Sequence, residues 1–433
     1  MTEPPDEPRS GGTSPSRPLG LWSATALVIG SMIGSGVFLL PASLAPYGAA
    51  SLLGWGVTLC GAMMLALTFA RLAAKWPHTG GPYAFAREGF GDASGFTVAW
   101  SYWVSTCCGN AAIAVAFAGS IGAILPGLTA TPLRSAGCAL GALWLCSAVN
   151  LAGVREAGRM QVITTLLKLF PLLLFGGIAL WFVDSSHYRP FNPSGESLPN
   201  AVQATVALTL WAFLGLEAAT VPAGAIRDPA RTIPRATVFG TLLAGIATIL
   251  ACTAVLGLLP ADVVKSSQAP MADAASSLWG SAVGIGIAAV AAVSCFGSLN
   301  GWVLVAAQIP LAAARDDLLP QRFARLNRNG TPAFGIVVSS ALSSALVLAN
   351  FTHSLVQLFT FSILLSTAAI LLPYVVSTAA WLRRGDGSGR MPATLALLYS
   401  LYALIGTGSE SLLWGGALVL AGLPIYVWRK WSS

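Results

Sequence analysis

The chain has 433 residues, 55% of them hydrophobic and only 9% charged, with a mean hydropathy of +0.73. A water-soluble protein carries about 25% charged residues, so these values exclude a soluble globular chain and point to an integral membrane protein. The net charge of +7 is spread over loops rather than gathered on one face, so it is not a nucleic-acid footprint.

Residues 1–20 are polar and proline-rich and read as a disordered tail. The first apolar segment is too long for a cleavable signal peptide and lacks a cleavage site. At about 20 residues per span, twelve apolar segments are expected, centred near residues 30, 60, 110, 143, 172, 210, 245, 290, 340, 367, 400 and 420. The last two are separated only by the short polar stretch 406–411.

The first segment is interrupted by Gly30-Ser31-Met32-Ile33-Gly34-Ser35-Gly36. Three glycines and two serines make a poor helix interior, since glycine costs about 1 kcal/mol there relative to alanine. Broken backbone at membrane depth is tolerated only where protein or a polar cavity surrounds it. A helix restarting there aims bare N–H groups and a positive dipole end into that cavity, which suits a carboxylate. Taken alone, the stretch also fits a small-residue face for helix packing.

On the third segment Tyr102 and Asn110 lie eight residues apart, on roughly one helix face. The fifth carries Lys168 in an apolar run. The sixth holds Trp211-Ala212-Phe213-Leu214-Gly215-Leu216-Glu217, again a glycine beside a polar group at mid-membrane. The eighth has Trp302 after Gly297-Ser298-Leu299-Asn300-Gly301, and the tenth has Ser366 and Tyr374. Trp211 and Trp302 fall deep in their spans, where an indole face suits an organic cation or simply packs. Charges at such depth cost at least about 2.5 kcal/mol on insertion scales, so Lys168 and Glu217 are functional candidates. Lys168 reads either as a fixed cation capping the carbonyls of the broken first helix or as a proton switch. Glu217 reads either as a proton carrier or as a hydrogen-bonded gate post.

Two interrupted helices at corresponding places in two five-span units point to an inverted-repeat transporter with its site at the midplane. The expected units are 1–20 as a cytoplasmic tail, 21–185 and 199–385 as inverted five-helix repeats, and 391–429 as accessory helices 11 and 12. Placing the N-terminus inside gathers nearly all Arg and Lys on the cytoplasmic side, including Arg9, Arg17, Arg71, Arg87, Arg155, Arg159, Arg227, Arg315, Arg384 and Lys430. Only Arg134, Arg189 and Lys265 fall on the other side, so both termini are expected to be cytoplasmic. The seven cysteines lie in apolar segments without CxxC pairing, and His78, His187 and His353 are scattered near loops. Neither set makes a metal site, no nucleotide or nucleophile motif appears, and no cofactor is expected.

Long ungapped stretches then carry a specific resemblance: GSGVFLLPASLA (34–45), GGPYAFAREGFG (80–91), LWAFLGLEAA (210–219), DPARTIP (228–234) and GSLNGWVL (297–304). On these the chain resembles the amino acid–polyamine–organocation transporters, and among them the bacterial arginine/agmatine antiporters. The resemblance implies an all-α polytopic fold of twelve transmembrane helices, a 5+5 inverted repeat with helices 1 and 6 discontinuous, often a homodimer through helices 11 and 12. It implies that Ser35 and Gly36 receive the substrate carboxylate, with Ser31 and Ile33 of the same stretch also among the substrate-binding residues. The carbonyls of Ala212 and Leu214 would then hold the α-amino group. Trp302 and Asn110 match residues that read a guanidinium, Ser366 a substrate-contacting serine, and Trp211 a gating indole. Tyr102, Tyr374 and Glu217 match a further gate, and Tyr83 a tyrosine linked to pH response. Departures concern substrate and coupling. Ser105 and Thr106 stand where alanine and cysteine are usual at the distal wall, Ser31 replaces asparagine, Asn300 replaces glycine, and Lys168 replaces a small apolar residue as in proton-coupled permeases.

The expected function is therefore secondary active amino acid transport in the inner membrane, as an antiporter exchanging a cationic amino acid for a related amine or amino acid. A proton-coupled permease using Lys168 as its switch is the alternative. An enzyme is disfavoured because no nucleophile–base or metal-ligand constellation appears, and a passive channel because the deep tryptophans block a continuous pore.

Overall fold

A computed structural model of the chain describes residues 19–77, 80–153, 157–221, 223, 226–349 and 352–432. Most of the expected tail, His78 and Arg155 lie outside the described residues, as do the side chains of Arg159 and Lys430. The described chain is helical throughout, with one isolated parallel β-bridge between Leu19 and Ile226. That bridge, with the Arg227 N–H donating to the Leu19 carbonyl at 2.9 Å, orders the last two residues of the segment expected to be disordered.

The first segment forms α1 (Leu21–Met32) and α2 (Gly36–Leu44), followed by α3 (Ala50–Lys75), a short α4 (Pro82–Phe90) and the long α5 (Asp92–Ile124). Next come α6 (Pro132–Ala152), α7 (Ala157–Ala179) and α8 (Leu198–Leu210), which stops where the second interruption begins. The chain continues through α9 (Pro229–Leu258), the short α10 (Ala261–Ser266) and α11 (Pro270–Trp279), and α12 (Ser281–Arg315). It ends with α13 (Ala333–Ala349), α14 (Leu355–Arg384), α15 (Arg390–Gly406), α16 (Gly408–Leu420) and α17 (Leu423–Ser432).

Nine helical segments among the described residues are long and apolar enough to cross a membrane, the broken first one included. The segments centred near 210, 340 and 400 fall short of that length. α8 has 13 residues before it unwinds, and α13 and α15 have 17 each. Seventeen residues at 1.5 Å rise span about 26 Å, slightly under a hydrocarbon core of about 30 Å.

The first interruption is narrower than its composition suggests. Gly30, Ser31 and Met32 stay in α1, whose last bond runs from the Ile33 N–H to the Ile29 carbonyl at 2.8 Å. Only Ile33, Gly34 and Ser35 leave the helix, Ile33 turning extended at φ −80° and ψ 96°. Gly36 opens α2 against an indole, because a Cβ there would lie 2.9 Å from Trp211 Cδ1. In the second interruption a single tight turn covers Trp211–Phe213, and Gly215 takes φ +99°, a value only glycine reaches without strain. α5 runs between α12 and α14, buried along most of its length, and places the two interruptions beside one interior space.

Candidate functional site

Both interruptions open on one central cavity. Its walls come from α1 and α2 (Ser31, Met32, Gly34, Ser35, Gly36), α5 (Tyr102, Ser105, Thr106, Gly109, Ile113), the second break (Trp211, Leu214, Glu217), α12 (Trp302) and α14 (Ser366, Ile370). The empty volume is about 460 Å³, within the range of small-molecule sites.

At one wall α2 begins without a cap. Among the described residues the N–H groups of Gly34, Ser35 and Gly36 donate to nothing, and the buried Ser35 hydroxyl has no partner. Such a terminus offers hydrogen bonds and partial positive charge to an anion. Opposite, the carbonyls of Trp211, Phe213 and Gly215 accept from Leu214, Leu216 and Ala218, whereas those of Ala212 and Leu214 accept no bond among the described residues. An amine finds acceptors there.

Two tryptophans tie the breaks together. Trp211 reaches from Gly36 on α2 to Gly109 on α5, where a Cβ would meet its far ring edge at 3.1 Å. Trp302 donates its indole N–H to the Ser31 carbonyl at 3.2 Å, and its ring lies 3.2 Å from where a Gly215 Cβ would be. Trp302 is thereby wedged between the first break and the second.

Glu217 is fully buried and accepts from Tyr102 at 2.6 Å and from Tyr374 at 2.8 Å, one phenol on each carboxylate oxygen. Along α14 the levels are ordered. Val356 to Leu364 face a wide vestibule of about 2330 Å³, Ser366 and Ile370 face the central cavity, and Tyr374 meets Glu217 beyond it. The vestibule mouth carries Glu196, Asp262 and Glu410 with Lys265. Past that cluster, Tyr83 donates to Asp316 Oδ2 at 2.5 Å, and Arg87 pairs with Asp316 at 3.0 Å and Asp92 at 2.6 Å. Burial, then the hydrogen bond to Asp316, holds the Tyr83 phenol well above its ordinary range.

Lys168 lies outside the cavity and behind the first break. Its Nζ donates to the carbonyls of Gly30 and Ile33, each at 3.3 Å, and to Ser298 Oγ at 2.7 Å. Ser298 in turn donates to the Ile33 carbonyl at 3.2 Å. The Lys168 side chain thus reaches the carbonyl end of α1.

Of the residues singled out in the sequence, Ser31, Ser35, Gly36, Tyr102, Ser105, Thr106, Trp211, Leu214, Glu217, Trp302 and Ser366 line one cavity. Ile33, Ala212, Lys168 and Tyr374 stand directly behind them, and Tyr83 stands apart at the end of α12. Asn110 departs from expectation. Eight residues at 100° each leave it about 80° from Tyr102 around α5, and the cavity face is instead Tyr102, Ser105, Thr106, Gly109 and Ile113. Asn110 is buried, and neither carboxamide atom is hydrogen-bonded among the described residues. Asn300 also proves structural in its contacts, since Asn150 Nδ2 donates to its side chain at 2.9 Å and its carbonyl at 3.0 Å, linking α6 to α12 just before Trp302. Asn150 and Ser298 were not singled out, although each is a polar residue within an apolar run.

Known proteins resemble the chain over most of its length. A family model described as amino acid permease matches residues 19–425. The chain is 30% identical over 424 residues to the putrescine transporter PotE of Escherichia coli (strain K12), covering 95% of this chain and 96% of that protein. It is 31% identical over 424 residues to PotE of Haemophilus influenzae, covering 95% and 97%. It is 33% identical over 336 residues to the cadaverine/lysine antiporter of Escherichia coli (strain K12), covering 77% and 75%. These relatives are transporters rather than enzymes, and with the apolar helices they make this a multi-pass membrane protein.

Proposed function

The chain belongs to the amino acid permease family, and from that premise we propose that it is an alternating-access antiporter of the bacterial inner membrane. It exchanges a cationic amino acid for a related diamine or amino acid. The observation that carries this reading is the pairing of opposite polarities on one cavity. The bare N-terminus of α2 at Ser35 and Gly36 suits a carboxylate, and the free carbonyls of Ala212 and Leu214 suit an α-amino group. Glu217 and the Trp302 face suit a distal cation. A diamine and its parent amino acid share the cationic end, and relatives named for putrescine, cadaverine and lysine fit that pair.

Trp211, spanning from α2 to α5, serves as the lid over bound substrate, and Ser105, Thr106 and Ser366 form a hydroxyl wall at its far end. Asn110, unpaired and one step off the cavity face, is available to a longer, guanidinium-bearing substrate after a modest rotation of α5. Arginine and agmatine therefore belong in any substrate panel. Tyr102, Tyr374 and Glu217 form the gate, with Tyr83 in the contact beyond it.

The architecture that goes with this role is twelve spans in two inverted repeats, 21–185 and 199–385, with 391–429 as accessory helices and a homodimer through them. The matched breaks support it, as do the exposed Leu398, Ile405, Leu413 and Trp414 on the outer faces of α15 and α16. The gate end of the bundle carries Arg71, Lys75, Arg87, Arg383 and Arg384, and the vestibule end carries mainly acidic residues. This charge split supports a cytoplasmic gate end with both termini inside. Lys168 fills all three ammonium protons with oxygen acceptors, which supports a fixed cation rather than a titrating switch.

The test uses purified protein in liposomes preloaded with lysine, cadaverine, putrescine, arginine or agmatine. Labelled uptake is expected only with a substrate inside and without need of a proton gradient. Gradient-driven uptake into empty liposomes would make the protein a proton-coupled permease instead.

A further inference from the structure

Away from the central cavity, a groove runs on the outer surface between the start of α1 and the first turns of α9. Leu21 and Trp22 form one wall, Val238, Phe239 and Leu242 the other, and the empty volume is about 1030 Å³. The two helices run side by side in the same direction, since Leu19 pairs with Ile226 just before they begin and a Cβ on Gly240 would touch Val28 further along. Trp22 and Arg235 therefore sit at one end of the groove, while Phe239 and Leu242 lie further along it. Three large apolar side chains in this groove are left open to the surroundings: Trp22 at 74%, Phe239 at 51% and Leu242 at 38% exposure.

The open end is strongly basic. Arg227, Arg231 and Arg235 recur every fourth residue where α9 begins. Arg231 meets Asp228 only at 3.9 Å with both side chains largely exposed, a pair of little energetic weight. Arg227 and Arg235 have no carboxylate partner among the described residues. A tryptophan beside unpaired guanidinium groups at the rim of an apolar trough marks the level where lipid headgroups meet hydrocarbon.

We propose that this groove binds an anionic glycerophospholipid, its phosphate on Arg235 with Arg231 beside it and an acyl chain lying against Val238, Phe239 and Leu242. Charge complementarity selects this occupant. A free phosphate uses the arginines and leaves the trough empty, and a zwitterionic lipid brings its own cation beside the phosphate and leaves the clustered guanidinium charge uncompensated. The bound lipid holds the start of α1 against α9, reinforcing the Leu19–Arg227 backbone bond at the same place. The inference rests on the membrane setting of the family and not on exchange, and its readout is binding, so the two readings fail separately.

The full-length protein, in a neutral detergent, is incubated with phosphatidylglycerol, with phosphatidylcholine of the same chains, or with inorganic phosphate. Retained lipid is counted by native mass spectrometry, and protection is read as the shift in thermal unfolding. Phosphatidylglycerol is expected to be retained and to raise the midpoint, and the other two are not. Arg235→Gln is expected to weaken phosphatidylglycerol about fivefold, Arg235→Lys to keep most of it, and Val238→Trp to lose it by filling the trough with the arginines intact. Equal retention of phosphatidylcholine would mean a nonspecific lipid belt, and equal protection by phosphate a surface anion site. Either result overturns the proposal, as does unchanged phosphatidylglycerol binding in Arg235→Gln. A change of oligomeric state in Arg235→Gln without loss of lipid would give the groove to a second copy of the chain and overturn it too.

Discussion

In the proposed exchange the α2 terminus, Trp302 and Glu217 divide the work of recognition, and each can be tested by a difference between substrates. Cadaverine is lysine without its carboxylate, so the ratio of their affinities reads the contact with Ser35 and Gly36 alone. Lysine is expected to bind more tightly, by the roughly tenfold that one or two charge-assisted hydrogen bonds contribute after desolvation; equal affinities would remove the carboxylate from the α2 terminus. Trp302 offers its ring to the cationic end while its N–H holds the Ser31 carbonyl. Trp302→Leu should cost cationic substrates about 0.5–2 kcal/mol beyond what neutral ones lose, and a uniform loss would leave Trp302 a wedge between helices. Glu217→Gln keeps the volume and an acceptor for one phenol but removes the only carboxylate lining the cavity among the described residues. Diamine uptake should fall more than that of any neutral amino acid, which competitive uptake in liposomes would measure. Much of this was legible from residue type, because glycines, deep tryptophans and lone charges are conspicuous in an apolar chain. The misplacement of Asn110 came from treating eight residues as a whole number of turns. Small rotations around a helix decide which side chain faces a cavity, and spacing alone reads them coarsely.

At the scale of elements, the two breaks were visible as composition but not as geometry. Gly30 through Gly36 holds three glycines and two serines, yet three of its residues remain helical, with α1 stapled from outside. Lys168 and Ser298 on α7 and α12 supply donors to the Gly30 and Ile33 carbonyls, and Thr165 donates to the Ala26 carbonyl at 2.9 Å. Those tertiary partners lie more than a hundred residues away, so no local pattern contains them. The same bonds carry a prediction. Lys168→Ala leaves the buried Gly30 carbonyl without its donor, at about 1–3 kcal/mol, leaves the Ile33 carbonyl to Ser298 alone, and loosens the end of α1. Uptake is expected to be lost at every pH and thermal stability to fall. Transport that persists with a flattened pH profile would return Lys168 to the role of a proton switch.

Across the whole molecule, exchange depends on keeping the substrate-free protein from switching sides. Past the gate, Asp316 at the end of α12 is the point where Tyr83 and Arg87 of α4 converge, and the neighbouring Asp317 takes Arg429 of α17 at 3.1 Å. Elements from the beginning, middle and end of the chain therefore meet at two adjacent carboxylates. Each contact is partly exposed and contributes no more than about 1 kcal/mol, which suits a closure that must also open. The raised Tyr83 phenol keeps its proton and donates a hydrogen bond to Asp316. Asp316→Asn removes the charge that Tyr83 and Arg87 share and leaves Asp92 to hold Arg87 alone. It is expected to raise net uptake into empty liposomes by up to about fivefold while leaving substrate affinity unchanged. An unchanged ratio of exchange to net uptake would mean that the cluster only braces α4, and would place the barrier to empty switching at the buried Tyr102–Glu217–Tyr374 gate instead.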